Sequence, residues 1–596
     1  MRFGSLLATA VLAGAVAVAA DAGAASLTIL HNNDGESALL PFDDPADHGG
    51  IARAVTAVDQ LRALALDDGR DVLVLSSGDN FLAGLAREAG ARAGVDYDAR
   101  ALDLIGYDAI ALGNHDFDFG PAALADFVAY AEDGRALFAD TPFLAANLDL
   151  AGEPALAALA DEGRIVASTV IRRGDEAYGI IGGLTERLPQ ISSPGAVTVT
   201  DFADAVRAEV DRLATAGVTQ TILISHLQGL GHDLAILTGE GLGVDIVIAG
   251  GGGGLLIDHR KLDAETGEDV FGNAPLDVPA GAQAAADDPR DTYPLRVVEP
   301  DGRVTWVVTT TGNYQYWGRL NVEFDDAGEV TAVSGDPVAV GPAFAPDPDA
   351  VARIAAPVAE RVDAIASEVV GVSEVTLAND RAPGKRVEEV NLGNLVADAF
   401  VWQAKRLLGD ALAGKAVVGL QNGGGIRGGD ADLPPGRITR ADTLDLLPFA
   451  NVLAWSDALD AADLVAVLEH GVSAVADADG RFLQVSGVTF TYDPAQAPGA
   501  RVQEVRLADG TLVYDRAAGG LQPGADEVDL AVVTNSFTAA GGDGFAVLAE
   551  APFADLGATY EQPLVNYIEQ ALEGRITAQA YPEGGEGRIR VTAADG

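Results

Sequence analysis

Asn114, His115 and Asp118 fall within five residues of one another, in the run GNHDFD (Gly113–Asp118). They offer an oxygen ligand for a cation, a general acid, and a carboxylate to orient that acid. The preceding AIAL (Ala109–Leu112) reads as a buried strand, so the polar side chains fall where the strand ends. One such run also suits a capped turn; repetition decides between the readings. LTIL (Leu27–Leu30) runs into His31, Asn32, Asn33, Asp34, Gly35 and Glu36. VLVL (Val72–Leu75) runs into Ser76, Ser77, Gly78, Asp79 and Asn80, and TILIS (Thr221–Ser225) into His226. In an open α/β sheet, ligands gather outside the carboxyl ends of the strands. Four apolar runs that each deliver Asp, Asn or His predict a metal-centred site. His31 is read as structural.

The elements that must position these residues occupy a chain of 596 residues, long enough for two or more domains, and 48% apolar residues supply sizeable cores. Arg2, an apolar stretch from Leu6 to Ala20 and small residues through Ala25 predict a secretory signal peptide over 1–25, cleaved after Ala24 or Ala25. There is no cysteine, hence no disulfide and no lipid-attachment thiol. No second apolar run is long enough to span a bilayer, so an exported, periplasmic or secreted, protein without a membrane anchor is expected. The net charge of −51 disfavours nucleic-acid binding. It reads as a solvated acidic surface, which repels anionic esters at long range.

Residues 26–345 read as the first domain, with a polar, Asp-rich surface insertion at 257–292. Pro342, Pro346 and Pro348 mark its end. Val351, Ile354, Val358, Val362 and Ile365 have helical spacing, which predicts a linker helix within 346–370. Residues 371–596 form a second domain, where Asn391–Leu408 reads as an amphipathic helix with Asn391 as its cap.

The motif set resembles the calcineurin-type metallophosphoesterases, and specifically the secreted 5′-nucleotidase and UDP-sugar hydrolase family. The second half agrees: NLGNLVAD (Asn391–Asp398), QNGGGIR (Gln421–Arg427), LLPFAN (Leu446–Asn451) and NSFTAAGGDGF (Asn535–Phe545) follow in that family's order. The resemblance spans nearly the whole mature chain. It implies an α/β (α+β) fold: a four-layer β-sandwich flanked by helices, a linker helix, and a smaller α/β substrate-binding domain that rotates to deliver substrate. It also implies two divalent cations about 4 Å apart. Carried over, Asp79 bridges the cations, Asp34 binds the first, and Asn114 and His226 bind the second. His115 acts on the phosphoryl oxygens or leaving group, and Asp118 holds its tautomer. For the nucleotide, Phe449 and Phe537 sandwich the base, Asp543 accepts from the ribose hydroxyls, Arg386 and Arg427 bind phosphate, and Asn422 and Asn451 add amide contacts.

The chain departs from the family's pattern twice. The first motif, usually Asp-x-His, is Asp34-Gly35-Glu36, where Glu36 still offers an oxygen ligand. After VDIVIA (Val244–Ala249) the expected Gly-His-x-His or Gly-His-x-Gln is replaced by Gly250–Gly254, so the positions at Gly251 and Gly253 carry no side chain. Three outcomes are open. His48, His232, Asp258 or His259 swings in; water and backbone carbonyls complete the shell; or one cation binds weakly or not at all. The remaining oxygen-rich set moves preference from Zn²⁺ toward Mn²⁺, Mg²⁺ or Ca²⁺. The resemblance thus implies hydrolysis of nucleoside 5′-monophosphates, with UDP-sugars and cyclic nucleotides open, by a metal-bound hydroxide. The alternative is a nucleotide-binding protein that has lost part of its metal site and its chemistry.

Overall fold

The computed structural model describes residues 25–42, 47–252, 254–257, 261, 262, 266, 269, 270, 275, 276, 282–284, 292–428, 431–449 and 451–592. Nearly all of the expected signal peptide, most of the 257–292 insertion, and Gly253, Asp258 and His259 lie outside the described residues.

The apolar runs become strands, and their alternation explains two cores. Strands β1 (Ser26–Asn32), β2 (Asp71–Ser76) and β3 (Ala109–Ala111) lie side by side and parallel in an eight-stranded sheet. Leu27, Ile29, Leu73 and Leu75 point to one face; Leu30, Val72 and Val74 point to the other. A strand buried on both faces needs no polar alternation, hence the continuous hydrophobic sequence. The first face packs on a seven-stranded sheet in which β4 (Gln220–His226) and β5 (Ile246–Gly250) are parallel neighbours. Helices Ile51–Asp67, Tyr97–Ile105 and Gly120–Val128 cover the outer face of the first sheet. Phe202–Thr215 and Leu230–Gly239 cover the second. The result is the expected sequence of layers: helix, sheet, sheet, helix.

The linker is helical from Pro348 to Ala366, with a widened π-type turn at Val351–Ala355. Its Ala350, Ile354 and Val358 are buried in the first core, so this half of the linker belongs mechanically to the sandwich. The helix stops four residues before 370, because Val369–Ser373 pairs as a strand.

Beyond it, Ala416–Asn422 and Leu530–Asn535 run parallel at the centre of a five-stranded sheet, beside a second five-stranded sheet ending at Ile589–Val591. Asn391–Leu408 is helical over the expected bounds, but Val390 is its cap. The Asn391 side chain is used elsewhere: it accepts from the Ala378 N–H and donates to the Thr376 carbonyl, both at 2.8 Å. Most of that helix is buried, which makes it a core helix of the second unit rather than a half-wet one. No described helix is long and apolar enough to cross a membrane.

Candidate metal and nucleotide sites

The ends of β1–β5 converge. Asp34 and Glu36 follow β1, Asp79 follows β2, Asn114 and His115 follow β3, His226 ends β4, and Gly251 follows β5. Asp34, Asp79 and His226 are buried and bring one ligand atom each within 4.8 Å of one another. Glu36, Asp79 and His115 form a second such group. Asp79 belongs to both. His226 Nε2 lies 3.0 Å from Asp79 Oδ2 and 3.1 Å from Asn114 Oδ1, while its Nδ1 donates to the Ser77 carbonyl at 2.7 Å. That second bond fixes the ring and leaves Nε2 facing the carboxylates. The donor set of oxygens around imidazole fits divalent cations. His48 and His232 enter neither group; His232 is exposed on its helix.

Four residues here adopt left-handed backbone without being glycine: Asp34 (φ 44°), Glu36 (φ 48°), Asp79 (φ 47°) and Gln228 (φ 63°). Such strain concentrates where side-chain aim matters more than comfort. Close approach is also built in. A Cβ on Gly113 would sit 2.7 Å from His226 Cε1, so only glycine lets the β3 loop pass this imidazole.

Electrostatics follow from burial among carboxylates. Burial works against charge on His226, but Asp79 and Asp34 outweigh it and hold the imidazole up at about 10. His115 is likewise held at about 10, burial being overcome by Asp79, Asp118 and Glu36. Glu36 is pushed up to about 8 by burial and by the charges of Asp34 and Asp79. For Asp79, burial is outweighed by His226 and His115, which keep it below the ordinary carboxylate value.

His115 Nδ1 meets Asp118 Oδ2 at 2.6 Å, and the Ser192 hydroxyl donates to Asp118 Oδ1 at 2.7 Å. The His115 backbone N–H donates to Asp79 Oδ1 at 2.8 Å, tying this pair to the carboxylate common to both groups. Sequence reasoning missed Asp116, Ser192 and Gln228. Asp116 accepts from the N–H groups of Asn80 and Gly113, both at 2.9 Å, and so ties the β2 and β3 loops together. Its place inside GNHDFD was the available signal; Ser192 lies in an unremarkable loop and offered none. His31 is structural, as expected: it is buried between Asn33 (3.1 Å) and Tyr293 (2.9 Å), and burial lowers it to about 4.

All seven residues expected to bind nucleotide line one cavity of about 410 Å³: Arg386, Asn422, Arg427, Phe449, Asn451, Phe537 and Asp543. Asn422 ends its strand, and Asn535 ends the parallel neighbour and caps the turn of helix carrying Phe537. Phe449 and Phe537 are 41% and 44% exposed, so neither ring is a core residue. The Arg427 guanidinium lies 5.0 Å from the centre of the Phe449 ring. Asp543, at φ 55°, accepts from the Asn422 amide at 2.8 Å. Asp479 also lines the cavity and was not foreseen; it is held below its ordinary value by the hydrogen bond from Arg481, with Arg386 adding to the effect.

The metal-type clusters do not line this cavity. Between the halves lies a separate cleft of about 590 Å³, whose walls include Phe119, next to Asp118, and Phe449. Buried Arg440 spans the halves there, 2.9 Å from Glu88 and 3.2 Å from Glu561, and Arg92 pairs with Glu368.

Comparison with known proteins places the chain in a family. Residues 369–550 match the family model for the 5′-nucleotidase C-terminal domain. A 5′-nucleotidase of Diplobatis ommata is 31% identical over 568 residues, covering 92% of this chain and 89% of that protein. The 5′-nucleotidase of Homo sapiens is 30% identical, covering 93% and 91%. The crystal structure of a 5′-nucleotidase precursor from Thermus thermophilus superposes with a TM-score of 0.58 at 31% identity, covering 95% of this chain and 99% of that one. The chain belongs to the 5′-nucleotidase family and is a phosphoesterase hydrolase.

Proposed function

We propose that this protein hydrolyses nucleoside 5′-monophosphates to nucleoside and phosphate with the help of two divalent cations. The observation that carries the reading is the position of Asp79 in both carboxylate–imidazole groups, next to the His115–Asp118 pair. Asp34, Glu36, Asp79, Asn114 and His226 would hold the cations. When bound, these supply a nucleophile at neutral pH and neutralise charge on the phosphoryl oxygens. The chain's own residues do the rest. Asp118 accepts from His115 Nδ1 and, with its neighbours, favours the imidazolium, whose Nε2–H donates to the phosphoryl oxygens or the leaving group. Phe449 and Phe537 stack on the base, and stacking tolerates any base. Arg386 and Arg427 bind the phosphate through planar donors. Asp543 accepts from the ribose, and Asn422 and Asn451 add amide contacts.

The nucleotide-lining cavity and the metal-type clusters are separate in this conformation, which supports rotation of residues 371–596 against residues 26–345 about the linker 346–370. The oxygen-rich ligand set favours Mn²⁺ over Zn²⁺. The leader read in the sequence supports export, to the periplasm or beyond it.

Phosphate release from AMP, UDP-glucose and a 2′,3′-cyclic nucleotide by metal-stripped protein, titrated with Mn²⁺, Mg²⁺, Ca²⁺ and Zn²⁺, tests the reading. Metal-dependent turnover of AMP that disappears in His115→Ala supports it. AMP binding without turnover of any ester would make the protein a nucleotide binder that has lost its chemistry.

A further inference from the structure

We propose that Gln228 is a cation ligand, contributing its side-chain carbonyl oxygen beside Asn114, His226 and Asp79. The inference rests on the two-cation reading above and adds a residue to it. Gln228 lies two residues beyond the end of β4, and its amide nitrogen donates to Asn114 Oδ1. The same oxygen faces His226 Nε2, which in turn faces Asp79 Oδ2. Gln228 thus extends a run of neighbouring groups able to coordinate a cation, from Asp79 through His226 and Asn114.

Its backbone argues that this aim is selected. Gln228 adopts φ 63° although it is not glycine, and it is followed by Gly229 at φ 126°. Glutamine gains little from left-handed backbone, since its side chain is too long for the local hydrogen bonds that favour Asn and Asp there. The residue is partly exposed, so packing does not require this conformation. The facing residue 251 brings no side-chain ligand of its own. Gly251 has φ 75°, and a Cβ on it would lie 2.9 Å from both His226 Nε2 and the Gln228 backbone nitrogen. A side chain at 251 therefore does not fit with Gln228 and His226 in place.

A carboxamide carries a donor and an acceptor on one carbon, and its terminal torsion is broad and roughly two-fold. A half-turn exchanges the N–H that now faces Asn114 for the carbonyl oxygen. Hard divalent cations accept such oxygens readily. The competing role is a positioning one, in which the Gln228 N–H only orients Asn114.

The test measures Mn²⁺ binding to the metal-stripped full chain, by calorimetry and by the loss of the free-ion electron paramagnetic resonance signal. The wild type should bind two ions. Gln228→Ala should weaken one of them at least ten-fold and leave the other unchanged. Gln228→Glu separates the two roles. A carboxylate ligand restores or tightens that ion, whereas a lost N–H donor leaves it as weak as in the alanine variant. Unchanged binding in Gln228→Ala, or equal weakness in Gln228→Glu, overturns the inference while the two-cation reading stands. A wild type that binds no more Mn²⁺ than Asp79→Asn overturns both.

Discussion

His115 Nδ1 and Asp118 Oδ2 are 2.6 Å apart, and the other oxygen of Asp118 is held by the Ser192 hydroxyl. The carboxylate is therefore held at both oxygens and fixes the Nδ1 proton toward itself, and the surrounding carboxylates favour the imidazolium, whose other nitrogen also carries a proton. On the proposed reading, His115→Ala should lower kcat by about 10²–10⁴-fold, the usual contribution of a general acid. Asp118→Asn should lower kcat less and leave KM for AMP nearly unchanged, because the cavity lined by Phe449 and Phe537 contains neither residue. Steady-state kinetics on AMP at saturating Mn²⁺ checks this. A rise in KM without loss of kcat would place His115 outside the chemistry.

Phe449 and Phe537 should behave in the opposite way. Each is more than two-fifths exposed, so alanine should cost little stability. Base stacking on an aromatic ring contributes about 1–3 kcal/mol, so each substitution should raise KM for AMP roughly 5- to 150-fold. A phosphate ester with no base, such as glycerol phosphate, should be hydrolysed equally by wild type and variants. Equal losses on both substrates would mean that the rings support structure instead.

Much of this was legible because it rests on short-range pattern. Strands buried on both faces read as uninterrupted apolar runs, and the residue after each run is fixed at the sheet edge whatever the rest of the chain does. Asp34, Asp79, Asn114 and His226 converge for that reason. Asn391 shows where pattern fails: a good capping residue was claimed by Ala378 and Thr376, distant backbone that no local reading contains. Ser192 on Asp118 and Arg440 between Glu88 and Glu561 are likewise products of tertiary packing. Gln228 was hidden differently, since its left-handed backbone has no signature in residue type.

Arg440 reaches across to Glu88 of the first half and pairs within its own half with Glu561, which is buried with it. Removing one partner of a buried ion pair costs about 3–5 kcal/mol, because the other charge is left desolvated. Arg440→Ala should therefore lower the midpoint of urea unfolding clearly. Glu88→Gln should do so only slightly, its carboxylate being more exposed. Adding Glu561→Gln to Arg440→Ala should recover part of the loss. Additive losses in the double variant would show that the pair is not the cause. Small-angle scattering on Arg440→Ala should also show a wider spread of separations between the halves.

Asp233 gives stability a pH dependence with a defined sign. It is buried in the first turn of Leu230–Gly239 beside the Ser225 hydroxyl, and burial pushes it up to about 7 from 3.8. In the folded state it keeps its proton to about pH 7, whereas the unfolded chain loses it near pH 4. The stability it contributes is full below about pH 4 and is lost as pH rises through 7, at up to about 1.4 kcal/mol per pH unit. Asp233→Asn cannot titrate, so its stability relative to wild type should grow between pH 4 and 7 and level off above. Urea unfolding of both proteins across this range measures the difference directly; parallel curves would refute the assignment.

The net charge of −51 should shape how an anionic substrate arrives. At low ionic strength the summed field repels a phosphate ester from tens of ångströms away, while Arg386 and Arg427 act only at short range. Salt screens the distant charges first, with a Debye length of about 10 Å at 0.1 M. Raising tetramethylammonium chloride from 10 mM toward 200 mM, at saturating Mn²⁺, should therefore raise kcat/KM for AMP. A monoanionic phosphodiester should gain less than the AMP dianion, because the repulsion scales with substrate charge. A fall in kcat/KM with salt at constant metal occupancy would show that the arginines and bound cations set the field along the whole approach, and that the acidic surface serves solvation alone.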